Sequence, residues 1–314
     1  MTLLSVLIPS HNPRPELLKQ VLHALSKQTL QPTDWELLLI DNASTAPLKA
    51  DLLAWHPNGR LIVEPTLGLT SARLRGIEEA RGPLLVWVDD DNVLDPGYLE
   101  AALEAFQANP KLGAAGGASI PCYTESPPSW FVKGLVPLGC RDHGDQPIAM
   151  SWRDQPPHYP PAAPIGAGLV IRHQAIQLWA HQVQGDQRRR AFGRKGKALS
   201  SGEDNDINLT LLANGWELAY LPRLRLTHHI PSSRLELAYQ KRMARASFRD
   251  FVQVLDLHGI RPWGAITRWT IPLRALRAWF RYRAWGGPAE SIRWQGAIGQ
   301  FEGRSLLKPS RKNQ

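Results

Sequence analysis

Cysteine is almost missing from these 314 residues, with only Cys122 and Cys140 present. That count excludes a disulfide framework, and both are expected as reduced thiols without catalytic duty. Long hydrophobic runs are missing as well: no window reaches the roughly 18 uninterrupted apolar residues of a membrane span. The opening, MTLLSVLIPSHNP, lacks the basic flank and small-residue cleavage site of a secretory signal. A cytoplasmic chain is the expectation. No internal repeat at solenoid spacing is present, which excludes a stacked-repeat architecture. Negative charge is scarce at one end only. From Arg223 onward 18 Lys and Arg stand against 5 Asp and Glu, whereas the rest of the chain is mildly acidic. A basic C-terminal part points to an anionic partner, a membrane surface or nucleic acid.

What is present reads as a globular α/β chain, 43% hydrophobic and 21% charged, long enough for one large domain and an appendage. LLSVLIP (3–9) is a short apolar run, and PELLKQVLHALSKQ after it puts Leu18, Val21, Leu22 and Leu25 on one helical face. The unit recurs in WELLLID (35–41), RLIVEP (60–65), the helical TSARLRGIEEARG (70–82), PLLVWV (83–88) and a helix over 96–109. Continuous apolar strands between amphipathic helices predict a mostly parallel sheet covered on both faces. Ligands of such sheets bind beyond the carboxyl ends of the strands. Proline-rich loops over 121–164 are expected to cover that crevice. GAGLVIRHQAI (166–176) restores a strand and helix, and the glycine-dotted basic segment 185–202 is expected as a mobile loop. A helix EDNDINLTLLANG and strands WELAYLP and LRLTHH follow. Beyond residue 232 the sequence is helical and basic. Ile266, Trp269, Leu273, Leu276 and Phe280 form an apolar stripe beside Arg274, Arg277 and Arg281. Such a helix suits a membrane interface or packs the extension onto the body, and the sequence leaves both open.

Three residue patterns carry chemistry. Asp89, Asp90 and Asp91 follow a buried-looking strand, and adjacent carboxylates repel one another unless a cation compensates them. Hard oxygen ligands in a row favour Mg²⁺ or Mn²⁺ held together with substrate phosphates. Glu203 and Asp204 open a helix, where Ser201 to Asp204 also fits a capping box. His228 and His229 lie on a strand whose successive side chains face opposite ways, so at most one of the two reaches any shared site.

In order, VLIPSHN, LLLIDNAS, GLTSARLRGIEEARGPLLVWVDDDNVLDPGYL, GEDNDINLTLLANGWELAYLP and HHIP resemble the inverting family 2 glycosyltransferases of GT-A fold, over roughly residues 3–234. The resemblance implies a GT-A domain over 1–232 and a basic, Trp/Arg-rich helical extension over 233–314. It implies a nucleoside-diphosphate sugar donor, UDP-linked by expectation, and a glycan or lipid-linked hydroxyl acceptor. It implies that Pro9, Ser10, His11, Asn12, Asp41, Arg73, Asp89 and Asp90 lie on the nucleotide side. Asp91 and one of His228 and His229 would hold Mn²⁺ or Mg²⁺. Asp204 would be the general base and Glu203 would bind acceptor hydroxyls. The family's usual Arg-Asn pair is Arg73-Leu74 here. Together with the basic extension this gives a peripheral protein on the inner face of a membrane. Two rivals are a sugar nucleotidyltransferase, whose glycine- and basic-rich signature is missing from PSHNPRPE, and a noncatalytic basic adaptor.

Overall fold

The computed structural model describes residues 2–196 and 198–308. In chain order its elements are β1 (Leu4–Ser10), α1 (Pro15–Leu25), β2 (Trp35–Asn42), β3 (Gly59–Glu64), α2 (Leu69–Glu79), β4 (Leu84–Trp87) and β5 (Asn92–Leu94). They continue with α3 (Tyr98–Ala108), β6 (Leu112–Gly116), β7 (Ser119–Tyr123), β8 (Ile148–Met150), β9 (Val170–Arg172), α4 (His173–Gly185) and the single turn α5 (Gln187–Arg190). The last are α6 (Glu203–Ala213), β10 (Glu217–Tyr220), β11 (Leu226–Ile230), α7 (Leu237–Leu257), α8 (Ile271–Arg281) and α9 (Pro288–Ser305).

The large sheet has the order β3-β2-β1-β4-β9-β6-β10-β8, and β5-β11-β7 form a smaller one. Parallel pairing holds from β3 to β4, as the apolar strands predict, while β9 runs antiparallel to both β4 and β6. Alternate residues of the central strands feed two separate cores. Val6, Leu39 and Val86 pack with α1 and α3, and Leu7, Leu38 and Trp87 pack with α2, α4 and α6. Both faces are therefore covered, which is why these strands are hydrophobic throughout rather than alternating. Each fully buried Leu or Val in this double core contributes about 1.5–3 kcal/mol.

Because β1, β2 and β4 are parallel, their carboxyl ends share one edge, at Ser10, Asn42 and Asp89. The chain leaves β3 toward α2 through Gly68, whose φ of +142° is costly for a residue with a Cβ. Its N–H donates to Oδ1 of Asn42 at 2.8 Å, pinning the start of α2 beside the end of β2.

The C-terminal helices are built around glycine. A Cβ on Gly299 of α9 would lie 2.0 Å from the Arg245 carbonyl oxygen of α7, so only glycine allows this close approach. α7 in turn sends Val254 and Leu255 into the core shared with α6. Helix α8 rests on α9, with Ala278 buried and Nε1 of Trp294 donating to the Ala275 carbonyl at 2.9 Å. Its stripe of Trp269, Leu273, Leu276 and Phe280 faces outward, at 79, 62, 53 and 59% exposure.

Candidate functional site

A cleft of about 350 Å³ opens at the carboxyl edge of β1, β2 and β4. The resemblance nominated thirteen positions, and all but Asn12, Asp41 and His229 line this cleft. The segments 137–139 and 165–167 close one side and 192–194 with 200–202 another. The proline-rich region thus does cover the crevice, although it also contains β7 and β8, which short three- to five-residue strands do not betray in sequence.

At the end of β4 the three aspartates occupy different environments. Ser10 Oγ donates to Asp90, yet burial wins and pushes its carboxyl up to about 6. Burial also raises Asp89, against the opposing charge of Arg73. Burial works against ionised Asp91 too, but the His228 hydrogen bond and the charges of His228 and Arg234 outweigh it and hold this carboxyl below its usual range. Asp91 lies 3.4 Å from Nε2 of His228 and 3.3 Å from Nη2 of Arg234.

His228 is oriented from behind. Its Nδ1 donates to the Gly139 carbonyl at 3.2 Å, which turns Nε2 toward Asp91. A metal-binding imidazole is usually fixed by such a bond on its second nitrogen. His229 lines a separate groove with Lys19, Gln20 and Val93. Strand alternation therefore selects His228. Among the described residues no group of three or more His, Cys, Asp or Glu side chains forms a ready metal cage. The donor set still fits Mg²⁺ or Mn²⁺, because such ions commonly take one or two carboxylates and complete their shell with phosphate oxygens and water. Asp91 and Nε2 of His228 are the groups that would hold it.

Across the cleft, Asp204 sits in the first turn of α6. Its Oδ2 accepts from the Gly166 N–H at 3.1 Å and its Oδ1 from the Asn205 N–H at 2.9 Å. Two backbone donors and a helix N-terminus fix the direction of this half-buried carboxylate. The capping box is not formed: Gly202 is the N-cap, without a side-chain cap. Two residues on, Asp206 is fully buried and accepts from Nε1 of Trp179 at 2.9 Å, from Nε2 of His258 at 2.8 Å and from Arg189. The basic segment is therefore tethered, by Arg189 and by buried Phe192, rather than a free loop.

Several expected roles change. Glu203, expected on acceptor hydroxyls, lines the cleft but has its carboxylate already engaged within the protein. It forms a buried pair with Arg73, Nη1 to Oε1 at 2.8 Å, and accepts from the Thr70 hydroxyl. Arg73 also stacks over Trp87 with its Cζ 4.2 Å from the ring centroid. The pair thereby joins α2 to α6 at the floor of the cleft, and Arg73 keeps its place beside Asp89. Asp41 is 3% exposed and caps its own turn, accepting from the N–H groups of Ser44 and Leu48 at 3.1 and 2.9 Å. Asn12, at φ +48°, ties the end of β1 to the same turn through Ser44 and Thr45. Asn42, next to Asp41, lines the cleft instead. Arg234 was missed: it follows the expected end of the GT-A unit by two residues, yet it lines the cleft and contacts Asp91. The signal available was a cation close behind the strand of the paired histidines.

A mixed sheet with a strand-end acidic cluster on its carboxyl edge, faced by a carboxylate on a helix N-terminus, defines a GT-A glycosyltransferase fold. Residues 5–134 match the model of Glycosyl transferase family 2. The chain is 27% identical over 238 residues to the O-antigen biosynthesis protein RfbC of Myxococcus xanthus, covering 73% of this chain and 17% of that protein. It is 24% identical over 263 residues to an N-acetylglucosaminyltransferase of Sinorhizobium fredii, covering 80% and 59%. The chain thus spans less than two thirds of the length of these relatives. In fold it is similar to TarS 1-349 of S. aureus in complex with UDP-GlcNAc, with a TM-score of 0.51 at 12% identity, covering 96% of this chain and 90% of that one.

Proposed function

We propose that this protein transfers a sugar from a UDP-linked donor to a hydroxyl acceptor with inversion at the anomeric carbon. The observation that carries the reading is the opposition across one cleft of two unlike acidic sites, the Asp89–Asp91 cluster and the backbone-held carboxylate of Asp204. Similarity to a structure determined with UDP-GlcNAc supports a nucleotide-sugar donor.

In this mechanism Asp204 takes the proton of the acceptor hydroxyl as its oxygen bonds to the anomeric carbon. The bond from that carbon to the diphosphate breaks on the opposite face, and its electron pair leaves with the diphosphate. Attack opposite to departure inverts the configuration. Mn²⁺ or Mg²⁺, held by Asp91 and His228, would supply Lewis-acid neutralisation of the leaving group. Arg234 and Arg194 lie at the same end of the cleft and add positive charge there. Gly166 and Asn205 keep Asp204 aimed, and the Arg73–Glu203 pair holds α6 against α2.

The test is to incubate the protein with a panel of sugar nucleotides and simple glycoside acceptors, and to follow UDP release and product configuration by NMR. Metal-dependent UDP release and a product of inverted configuration are expected. A product that retains the donor configuration, or UDP that does not bind at all, overturns the reading.

A further inference from the structure

Helix α8 is mounted the wrong way round for a helix whose purpose is packing. Its side turned to α9 carries Arg274, Ala275 and Ala278, while its large apolar side chains point to solvent. At 3.6 residues per turn, Leu273, Leu276 and Phe280 fall within an arc of about 60°, and Trp269, 79% exposed in the single 3-10 turn before the helix, adjoins it in sequence. Trp285, 57% exposed, extends the patch, with its ring 5.9 Å from Phe280 and 4.5 Å from Trp279. Among the described residues nothing covers this face. Isolated exposed apolar residues are ordinary, but a contiguous apolar stripe on one helix marks an interaction site.

The charge around the stripe identifies the occupant. Between Asp256 and Glu290 the sequence holds no acid and six arginines, at 261, 268, 274, 277, 281 and 283. Two copies of the chain meeting through this face would bring arginines against arginines. An anionic lipid surface instead receives the apolar side chains below its headgroups and the guanidinium groups among its phosphates. Tryptophan at the edge of such a patch is suited to that boundary. No helix among the described residues is long and apolar enough to cross a membrane, so contact would be from one side. We infer that the outward face of α8, from Trp269 to Trp285, docks this protein on an anionic bilayer.

The experiment is co-sedimentation of the full chain with phosphatidylcholine vesicles, with and without about 30% phosphatidylglycerol. Binding to the anionic vesicles should exceed binding to the neutral ones by at least about tenfold and weaken as salt is raised. The triple variant Leu273→Ser, Leu276→Ser, Phe280→Ser should lose at least about tenfold in vesicle binding while its circular dichroism and melting stay unchanged, because these side chains are exposed. Should the triple variant fail to fold, Arg277→Gln with Arg281→Gln is the second probe, and it should remove the preference for the anionic vesicles. Equal binding to both vesicle types, no binding, or unchanged binding by the variants overturns the inference. So does a dimer seen by sedimentation that the triple variant abolishes, since the face would then serve a second copy.

Discussion

Charge lies inside the molecule at the cleft, whereas on α8 it is grease that lies outside. Arg73 and Glu203 are each 4% exposed and meet one another, and Asp91 at 7% meets His228 and Arg234. Leu273 and Phe280 stand more than half exposed, Phe280 beside the rings of Trp279 and Trp285 in the same patch. Burying ions costs stability unless they are paired, and exposing leucines forgoes stability that burial would give. Neither arrangement is what folding alone would select, but they differ in kind. The cleft charges are compensated by fixed neighbours, so the site is preorganised. The α8 face is covered by nothing among the described residues, and the proposed bilayer would supply what covers it.

That contrast can be broken in graded steps. The largest expected effect is on rate: Asp204→Asn should slow transfer by about 10²–10⁴-fold and leave UDP affinity, measured by calorimetry, within about twofold. A parallel loss of both would make the residue part of the donor pocket. Next is Glu203→Gln, which strands the buried Arg73 guanidinium and should cost about 3–5 kcal/mol in a denaturant titration. A loss below about 1 kcal/mol would mean that the pair is solvated like a surface bridge. Chelation with EDTA should then weaken UDP binding by about tenfold, which readdition of Mn²⁺ restores. UDP affinity indifferent to chelation would remove the cation from the proposal.

The smallest effect sharpens the comparison from a third place. His56 is 4% exposed, against Trp35 and Trp55, and burial lowers its imidazole to about 4. An unfolded chain protonates it near 6.5, so the stability that its neutral form contributes is complete above that pH and is lost as pH falls toward about 4. His56→Phe should flatten the stability curve in that window, read as melting temperature against pH. An unchanged slope would show that His56 is hydrated in the folded state.

The readable parts of the sequence were those with a period or an order. Leu18, Val21, Leu22 and Leu25 are all buried on α1, as their spacing requires, and the continuous apolar runs became the doubly covered strands β1, β2 and β4. Strands of three residues such as β8 and β9 show no period, so the antiparallel insertion of β9 between β4 and β6 was beyond reach. Residue type likewise told where charge lies but not what it meets. Asp41 and Asn12 carry the right groups at the right strand ends, yet backbone amides three and seven residues away satisfy Asp41 first. For α8 the stripe was legible and its direction was not, because a helix with alanine on its other side packs by either face.

Asp206 has a practical corollary for anyone shortening this protein. His258, just past α7, grips the same helix turn that aims Asp204, and α7 itself depends on α9 through glycine-to-backbone contact. A cut between the histidine strand and α9 therefore removes contacts that hold the helix turn bearing Asp204: what looks like a detachable tail is a brace, and its function is better dissected by single substitutions than by scissors.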